Sequence, residues 1–158
     1  MVIGAQMTIL EFPTAKDVSE YLLRRSGDAL FSGDFNAFAA CFALPQKMET
    51  FDGRKLVETE EDLRSIFDGV RAYYRSLGVT ILERRCIAAR FATADRVEAT
   101  HVSRLISGAS IVQTPYPVFS IIERGEPGWR VVHSKYAISD APAHNRALSS
   151  RLRDAAPD

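Results

Sequence analysis

The sequence is poor in the residues that build several common kinds of site. It has two cysteines and one tryptophan among 158 residues, and no apolar run approaches the length that spans a membrane. Cys41 and Cys86 lack metal-site spacing and are too few for a disulfide framework, so we predict free, buried thiols. The scarcity of cysteine excludes a disulfide-stapled domain, and the lack of long apolar runs excludes a helical membrane protein.

The chain also carries no net charge at pH 7. Lysine plus arginine and aspartate plus glutamate number 20 each, so no overall field attracts nucleic acid or an anionic membrane. Residues 1–7 lack the basic start and long apolar core of a signal peptide. We therefore predict a cytoplasmic protein with neither nucleic acid nor membrane as a partner.

Metal and cofactor signatures are missing as well. The three histidines, His101, His133 and His144, have no short ligand spacing. No glycine-rich phosphate loop and no nucleophile elbow occur. We predict no metal and no cofactor.

The length and the ordinary composition, 46% hydrophobic and 25% charged, indicate one globular domain. We assign the whole of 1–158 to that domain and predict that residues 1–13 and 140–158 are peripheral tails. The second tail is either a helix from about Pro142 to Arg153 or mobile.

Three helices are predicted in the first half of the chain. The first spans 15–32, with Thr14 or Asp17 as its N-cap and Gly33 ending it. The second is short, starts at Asp34, carries the apolar stripe Phe35, Phe38, Ala39 and Phe42, and stops at Pro45. The third follows a capping box at Thr59 and Asp62, shows regular apolar spacing from Leu63 to Leu77, and ends at Gly78.

Strands are predicted mainly in the second half. A small hairpin, 47–51 and 55–58, turns at Asp52-Gly53. A strand over 79–91 precedes a meander of three long strands, 96–107, 111–124 and 129–138. Helices come mostly first and antiparallel strands mostly last, which is typical of an α+β fold. We predict that the meander forms the wall of a cup that the helices fill.

Two segments carry a resemblance to a known superfamily. They are Gly33-Asp34-Phe35-Asn36-Ala37-Phe38, between the first two helices, and Gly128-Trp129-Arg130-Val131-Val132-His133-Ser134, in the last strand. With the order of elements over 15–139, they resemble the NTF2-like (SnoaL-like, cystatin-like) superfamily. The resemblance implies a strongly curved antiparallel or mixed sheet wrapped around three helices, an α+β cone with an interior pocket.

The resemblance does not imply an activity. The superfamily includes polyketide cyclases, ketosteroid isomerases, dehydratases and epoxide hydrolases, and also domains that only bind or oligomerise. Many SnoaL-like chains carry a second histidine two residues after the first one in the last strand. Lys135 stands there in this sequence.

Strand parity identifies candidates for the inside of the cup, because alternate residues share a face. His101 shares its face with apolar residues of its strand, and His133 shares one with Trp129 and Val131. We therefore predict that both histidines face the pocket as catalytic acid or base, while Glu98 and Arg104 face away. The alternative is a core histidine satisfied by a protein partner.

Tyrosines and one tryptophan complete the candidate site. We predict ligand contacts for Tyr21, Tyr74, Tyr116 and Trp129, since tyrosine hydroxyls can donate to a ligand oxygen. Core packing is the alternative for each tyrosine.

Two carboxylates are further candidates. Glu49 and Asp52 follow the second helix, where some enzymes of the superfamily carry a catalytic carboxylate. The Asp52-Gly53 turn explains Asp52 better than catalysis does. Glu49 is the better catalytic candidate of the two.

These patterns predict a small-molecule-binding protein, with a small apolar or partly polar ligand in its pocket. One hypothesis is a cofactor-independent lyase, isomerase or cyclase that uses acid–base chemistry. The alternative is a non-catalytic binding or oligomerisation domain. Thr100, Val102, Arg104 and Ile106 mix apolar and polar character on the outer face of the meander, which predicts a homodimer through that face.

Overall fold

The computed structural model describes residues 11–156. Its helices are α1 (Ala15–Ser32), α2 (Phe35–Ala39), α3 (Glu60–Leu77) and α4 (Pro142–Ser149). Its strands are β1 (Phe42–Thr50), β2 (Gly53–Val57), β3 (Ile81–Thr93), β4 (Arg96–Ser107), β5 (Ser110–Ile111), β6 (Tyr116–Gly125), β7 (Gly128–Tyr136) and β8 (Arg153–Asp154). Within 11–156, no helix is both long enough and apolar enough to cross a membrane.

The caps of the long helices follow the sequence signals. Of the two candidates for the first N-cap, Thr14 takes the role, and its Oγ1 accepts from the Asp17 amide at 3.1 Å. Gly33 ends α1 with a φ of 79°, a left-handed conformation that glycine adopts without strain. A capping box between Thr59 and Asp62 starts α3. The predicted boundaries of α1 and α3 are confirmed.

The strands form one open mixed sheet in the order β3-β4-β6-β7-β1-β2-β8, and β5 pairs with β4. The β1–β7 pair is parallel and the other pairs are antiparallel. Helix α1 packs against β3 and β4. The predicted α+β architecture is confirmed, with the meander at its centre.

The end of the second helix differs from the prediction. Helix α2 stops at Ala39, and Phe42 begins strand β1, so Pro45 lies inside a strand instead of ending a helix. The partners Phe42↔Val131 and Lys47↔His133 show that the ladder between β1 and β7 is interrupted around Pro45. A proline is tolerated there because its missing N–H is not needed by a ladder hydrogen bond.

The C-terminal segment is more deeply integrated than the predicted peripheral tail. Helix α4 lies so close to α3 that a Cβ on Gly69 would be 2.4 Å from the backbone oxygen of Ala147. His144 and Leu148 of α4 are buried, and β8 adds a strand beside β2. Of the other predicted tail, residues 1–10 lie outside the described residues.

Apolar residues of the helices and of the last meander strand form much of the core. Buried ones include Phe38, Ile66, Phe67, Val70, Trp129 and Val131, while Phe42 is partly buried. Trp129 and Val131 belong to a second apolar cluster against the first half of α1. Cys41 and Cys86 are buried free thiols, as predicted.

Candidate functional site

A cavity of about 50 Å³ lies between the helices and the sheet. That volume holds roughly three or four water molecules, or a ligand of a few heavy atoms. Its apolar lining includes Leu30, Phe38, Leu63, Ile66, Val70 and Leu148. Its polar lining includes Tyr74, His101, Ser103, Tyr116, Tyr136 and His144. One cavity is therefore lined by apolar and polar groups together, as ligand pockets are.

His101 faces the cavity, as strand parity predicts. It is 6% exposed, and its strand partners Cys86 and Val118 are likewise buried. Burial lowers the pKa of His101 to about 3, with a further contribution from the positive charge of Arg84. The imidazole is therefore neutral near pH 7 and offers one donor and one acceptor.

Three phenols meet in the same cavity. Tyr74 and Tyr116 are two of the predicted ligand contacts, and Tyr136 joins them from β7. Burial raises the pKa of all three and brings that of Tyr74 to about 12. All three hydroxyls are therefore protonated near neutral pH and can donate a hydrogen bond.

Ser103 supplies a polar atom that the fold leaves unsatisfied. It lies two residues from His101 on β4, is 1% exposed, and its Oγ has no hydrogen-bond partner among the described residues. The Tyr116 hydroxyl interacts with it without reaching good hydrogen-bond geometry. Because buried hydroxyls are normally paired, this atom marks a place for a ligand or water oxygen.

Sequence reasoning missed His144 as a cavity residue. It is 1% exposed, and burial lowers its pKa to about 4. Tyr73 donates to Gln113 Oε1 at 2.7 Å, and the Gln113 Nε2 lies 3.1 Å from His144 Nδ1. His144 Nδ1 also lies 3.2 Å from Gln113 Oε1, so the side-chain amide of Gln113 can pair with either tautomer of the imidazole. The sequence does carry a signal for this helix. Pro142 is typical of a helix start, and Leu148 in the following turns indicates an apolar face.

The predicted inward orientation of His133 is wrong. The register runs from Ile122↔Val131 to Ile121↔His133, so Val132 is an extra residue on β7. Such a bulge reverses the parity of every residue after it. His133 consequently lies outside the cavity, partly exposed, and Ser134 takes the inward position.

Tyr21 and Trp129 also lie outside the cavity. Both line a separate surface groove near the β6–β7 turn. The Tyr21 hydroxyl accepts from Arg25 Nη1 at 3.1 Å, and the Trp129 ring lies 6.1 Å from that of Phe91. Of the four predicted ligand contacts, the structure therefore brings Tyr74 and Tyr116 to the cavity.

Neither candidate carboxylate reaches the cavity. Glu49 Oε2 lies 2.7 Å from His133 Nε2 on the outer face of the sheet, with Lys135 and Arg54 nearby. Partial burial raises the pKa of Glu49, but the His133 hydrogen bond and the positive charges outweigh it and lower the pKa overall. Asp52 is exposed in the hairpin turn.

The cavity lacks carboxylates and metal-binding clusters among the residues that the structure describes. Among the described residues, no aspartate or glutamate lines it. Residues 11–156 also contain no group of three or more His, Cys, Asp or Glu side chains placed to hold a metal ion.

No family model and no curated protein matches the chain. Several solved structures are similar to it. A domain of unknown function with a cystatin-like fold from Nostoc punctiforme shares 18% identity, with 82% of this chain and 80% of that chain covered and a TM-score of 0.64. An NTF-2 like protein of unknown function from Shewanella oneidensis shares 11% identity, covering 77% and 97%, with a TM-score of 0.56.

A third similar structure is a ketosteroid isomerase-like protein from Erwinia carotovora atroseptica. It shares 14% identity, with 80% of this chain and 97% of that chain covered and a TM-score of 0.57. At these identities the likeness shows the fold alone. The chain has the cystatin-like, NTF2-like fold that its sequence predicts.

Proposed function

We propose that the protein binds a small molecule in the cavity between its helices and its sheet. The unpaired Ser103 hydroxyl carries this proposal, because it faces a cavity that His101 and Tyr116 also line. A ligand oxygen at that position would satisfy Ser103 and accept from the neighbouring donors. The apolar part of the lining, with Leu63 and Val70, suits a short apolar body.

Binding is better supported than proton transfer. His101 and three tyrosines converge in one cavity, which favours acid–base chemistry. A histidine with a pKa of about 3 is, however, a weak base at neutral pH, and an efficient general base has a pKa near the working pH. No aspartate or glutamate among the described cavity residues could replace it. Ligand binding is therefore the function that we assign.

Two isosteric probes, butyrate and butyramide, test this assignment by NMR titration of the ¹⁵N-labelled protein. We expect saturable shifts from at least one probe, on the order of millimolar affinity for so small a ligand. The shifts should centre on His101, Ser103 and Tyr116. Ser103→Leu fills the cavity and should abolish them.

Ser76→Leu is the matched control, since Ser76 is exposed on α3 and its Oγ donates only to the Tyr73 carbonyl. It should bind like the parent. If the parent shows no saturable shift with either probe, the assignment is overturned. Equal binding by the Ser103→Leu variant would move the site away from this cavity.

We also propose that the chain forms a homodimer through the outer face of the sheet. Val102, Phe119 and Ile121 are partly exposed at the middle of this face. Charged residues of both signs surround them and form ion pairs, including Arg90–Glu98 and Arg104–Glu83. An apolar centre with a mixed-charge rim can meet a second copy of itself, as the interface of a two-fold dimer requires.

Sedimentation at micromolar concentration tests the dimer with Val102→Glu. The parent should sediment at about twice the 17.6 kDa chain mass. The variant should sediment as a monomer, because it buries a charge at the centre of the face. A monomeric parent would refute the dimer. A dimeric variant would place the interface elsewhere, for which the edge strand β3 is the next candidate.

A further inference from the structure

The cavity contains one permanent charge. Arg84, on β3, lines it together with the neutral groups described above. His101 and His144 are uncharged near pH 7 because burial lowers the pKa of each. Among the described residues, no carboxylate lies within ion-pair distance of Arg84. The proposed site therefore carries a net positive charge without a counter-ion from the protein.

Neutral groups hold Arg84 in place. Its Nη2 donates to Ser26 Oγ at 2.9 Å and to the backbone oxygen of Leu23. A Cβ on Gly27 would lie 2.9 Å from Nη2, so the glycine lets the guanidinium approach α1 this closely. Both Nη2 hydrogens are used, which leaves three N–H donors on Nε and Nη1 without a partner among residues 11–156.

Strand register explains why a charged side chain points inward. Arg84 pairs with Ser103, and Cys86, two residues on, pairs with His101. Paired residues share a face of the sheet, so Arg84 lies on the same side as the unpaired Ser103 hydroxyl. The guanidinium, the hydroxyl and the imidazole thus surround one volume.

Arg84 also reaches the surface of the protein. It lines a groove between α1 and β3 whose walls include Gly27 and Leu82. The groove also carries Glu20, Asp28 and Arg24. Among the described residues, Arg84 is therefore the one that lines both the groove and the cavity.

We propose that the cavity selects small anions, carboxylates with a short apolar body, and that Arg84 binds the carboxylate. This inference rests on the proposed function. Arg84 is partly exposed, and no carboxylate of the described cavity lining pairs with its charge. An anionic ligand in the cavity pairs with this charge through charge-assisted hydrogen bonds. A neutral ligand of the same shape forms only the weaker neutral hydrogen bonds.

The same probe pair tests the selection, since butyrate and butyramide differ in charge and hardly in shape. At about pH 7 we expect the parent to bind butyrate roughly tenfold to hundredfold more tightly than butyramide, the usual gain from a charged hydrogen-bond partner. Butyrate should also shift the Arg84 Nε–H resonance. Arg84→Gln should lower butyrate affinity to that of butyramide, and Arg84→Lys should keep part of the preference.

Arg85→Gln is the matched control, because the neighbouring Arg85 is exposed and should leave both affinities unchanged. Equal affinities in the parent would overturn the anion selection while small-molecule binding stands. Binding of neither probe would refute the proposed function itself. Undiminished butyrate binding by Arg84→Gln would also overturn the role of Arg84. If that variant does not fold, the affinity ratio and the Arg84 resonance of the parent decide.

Discussion

Lowering the pH from about 7 to about 4 should destabilise the fold by on the order of 3 kcal/mol for each of two buried histidines, His101 and His144. Their pKa values fall from 6.5 to about 3 and about 4 on folding. The unfolded chain therefore binds protons below about pH 6.5 that the native protein does not bind. The stability is fully present above that pH and is lost as the pH falls toward the native values.

Urea unfolding at a series of pH values measures this loss, with the fluorescence of the single tryptophan as the signal. Between pH 6.5 and 4.5, the change in the free energy of unfolding reports on the two buried histidines. Glu49 and Asp62 also have lowered pKa values, but their contributions disappear only below their ordinary values of 4.5 and 3.8.

Single variants divide the effect between the two histidines. His101→Gln and His144→Gln should each remove about half of the decrease, because each removes one group that must be neutral when buried. A free energy of unfolding that stays constant from pH 6.5 to 4.5 in the parent would contradict the burial of both neutral imidazoles.

Phe67→Ala should destabilise the protein by about 3–5 kcal/mol, the usual loss for removing a buried ring. Phe67 is 2% exposed in α3. Its ring centroid lies 5.5 Å from that of Phe35 and 5.1 Å from that of Phe38. The truncation leaves a cavity where α2 and α3 meet, and helix backbones cannot easily collapse into it.

Denaturant melts of the parent and two variants measure this effect. Phe51→Ala is the control, since Phe51 is 67% exposed beside the β1–β2 turn and should change the free energy of unfolding by less than about 0.5 kcal/mol. A loss below about 1 kcal/mol for Phe67→Ala would mean that the contact between α2 and α3 is not part of the cooperative core.

Local signals in the sequence determined most of the helices and the meander. Helix α1 begins after Thr14 and ends at Gly33, and α3 begins after Thr59 and ends at Gly78. The sequence shows these ends because caps act through hydrogen bonds within one turn of the helix end. Alternation along β4 also placed His101 inside, since nothing interrupts that strand between Val97 and Leu105. Such features need no information from distant parts of the chain.

The tertiary structure alone decided which polar groups meet. The bulge at Val132 turns His133 outward, and it arises where β7 pairs with β1 as well as β6, which no local pattern of β7 reveals. The local sequence predicts that Pro45 ends a helix. The residues on either side of it, Phe42 and Lys47, pair with β7 and so place it in a strand. His144 enters the cavity only because Gly69 allows α4 to approach α3.

Arg84 shows the same limit at the proposed binding site. The charged run Glu83-Arg84-Arg85 is typical of an exposed or bulged edge, and β3 is indeed at the edge of the sheet. Its pairing with Ser103 nevertheless turns the middle residue inward. Long-range register decides which residue of a charged run faces the interior, because one step along a strand exchanges the two faces.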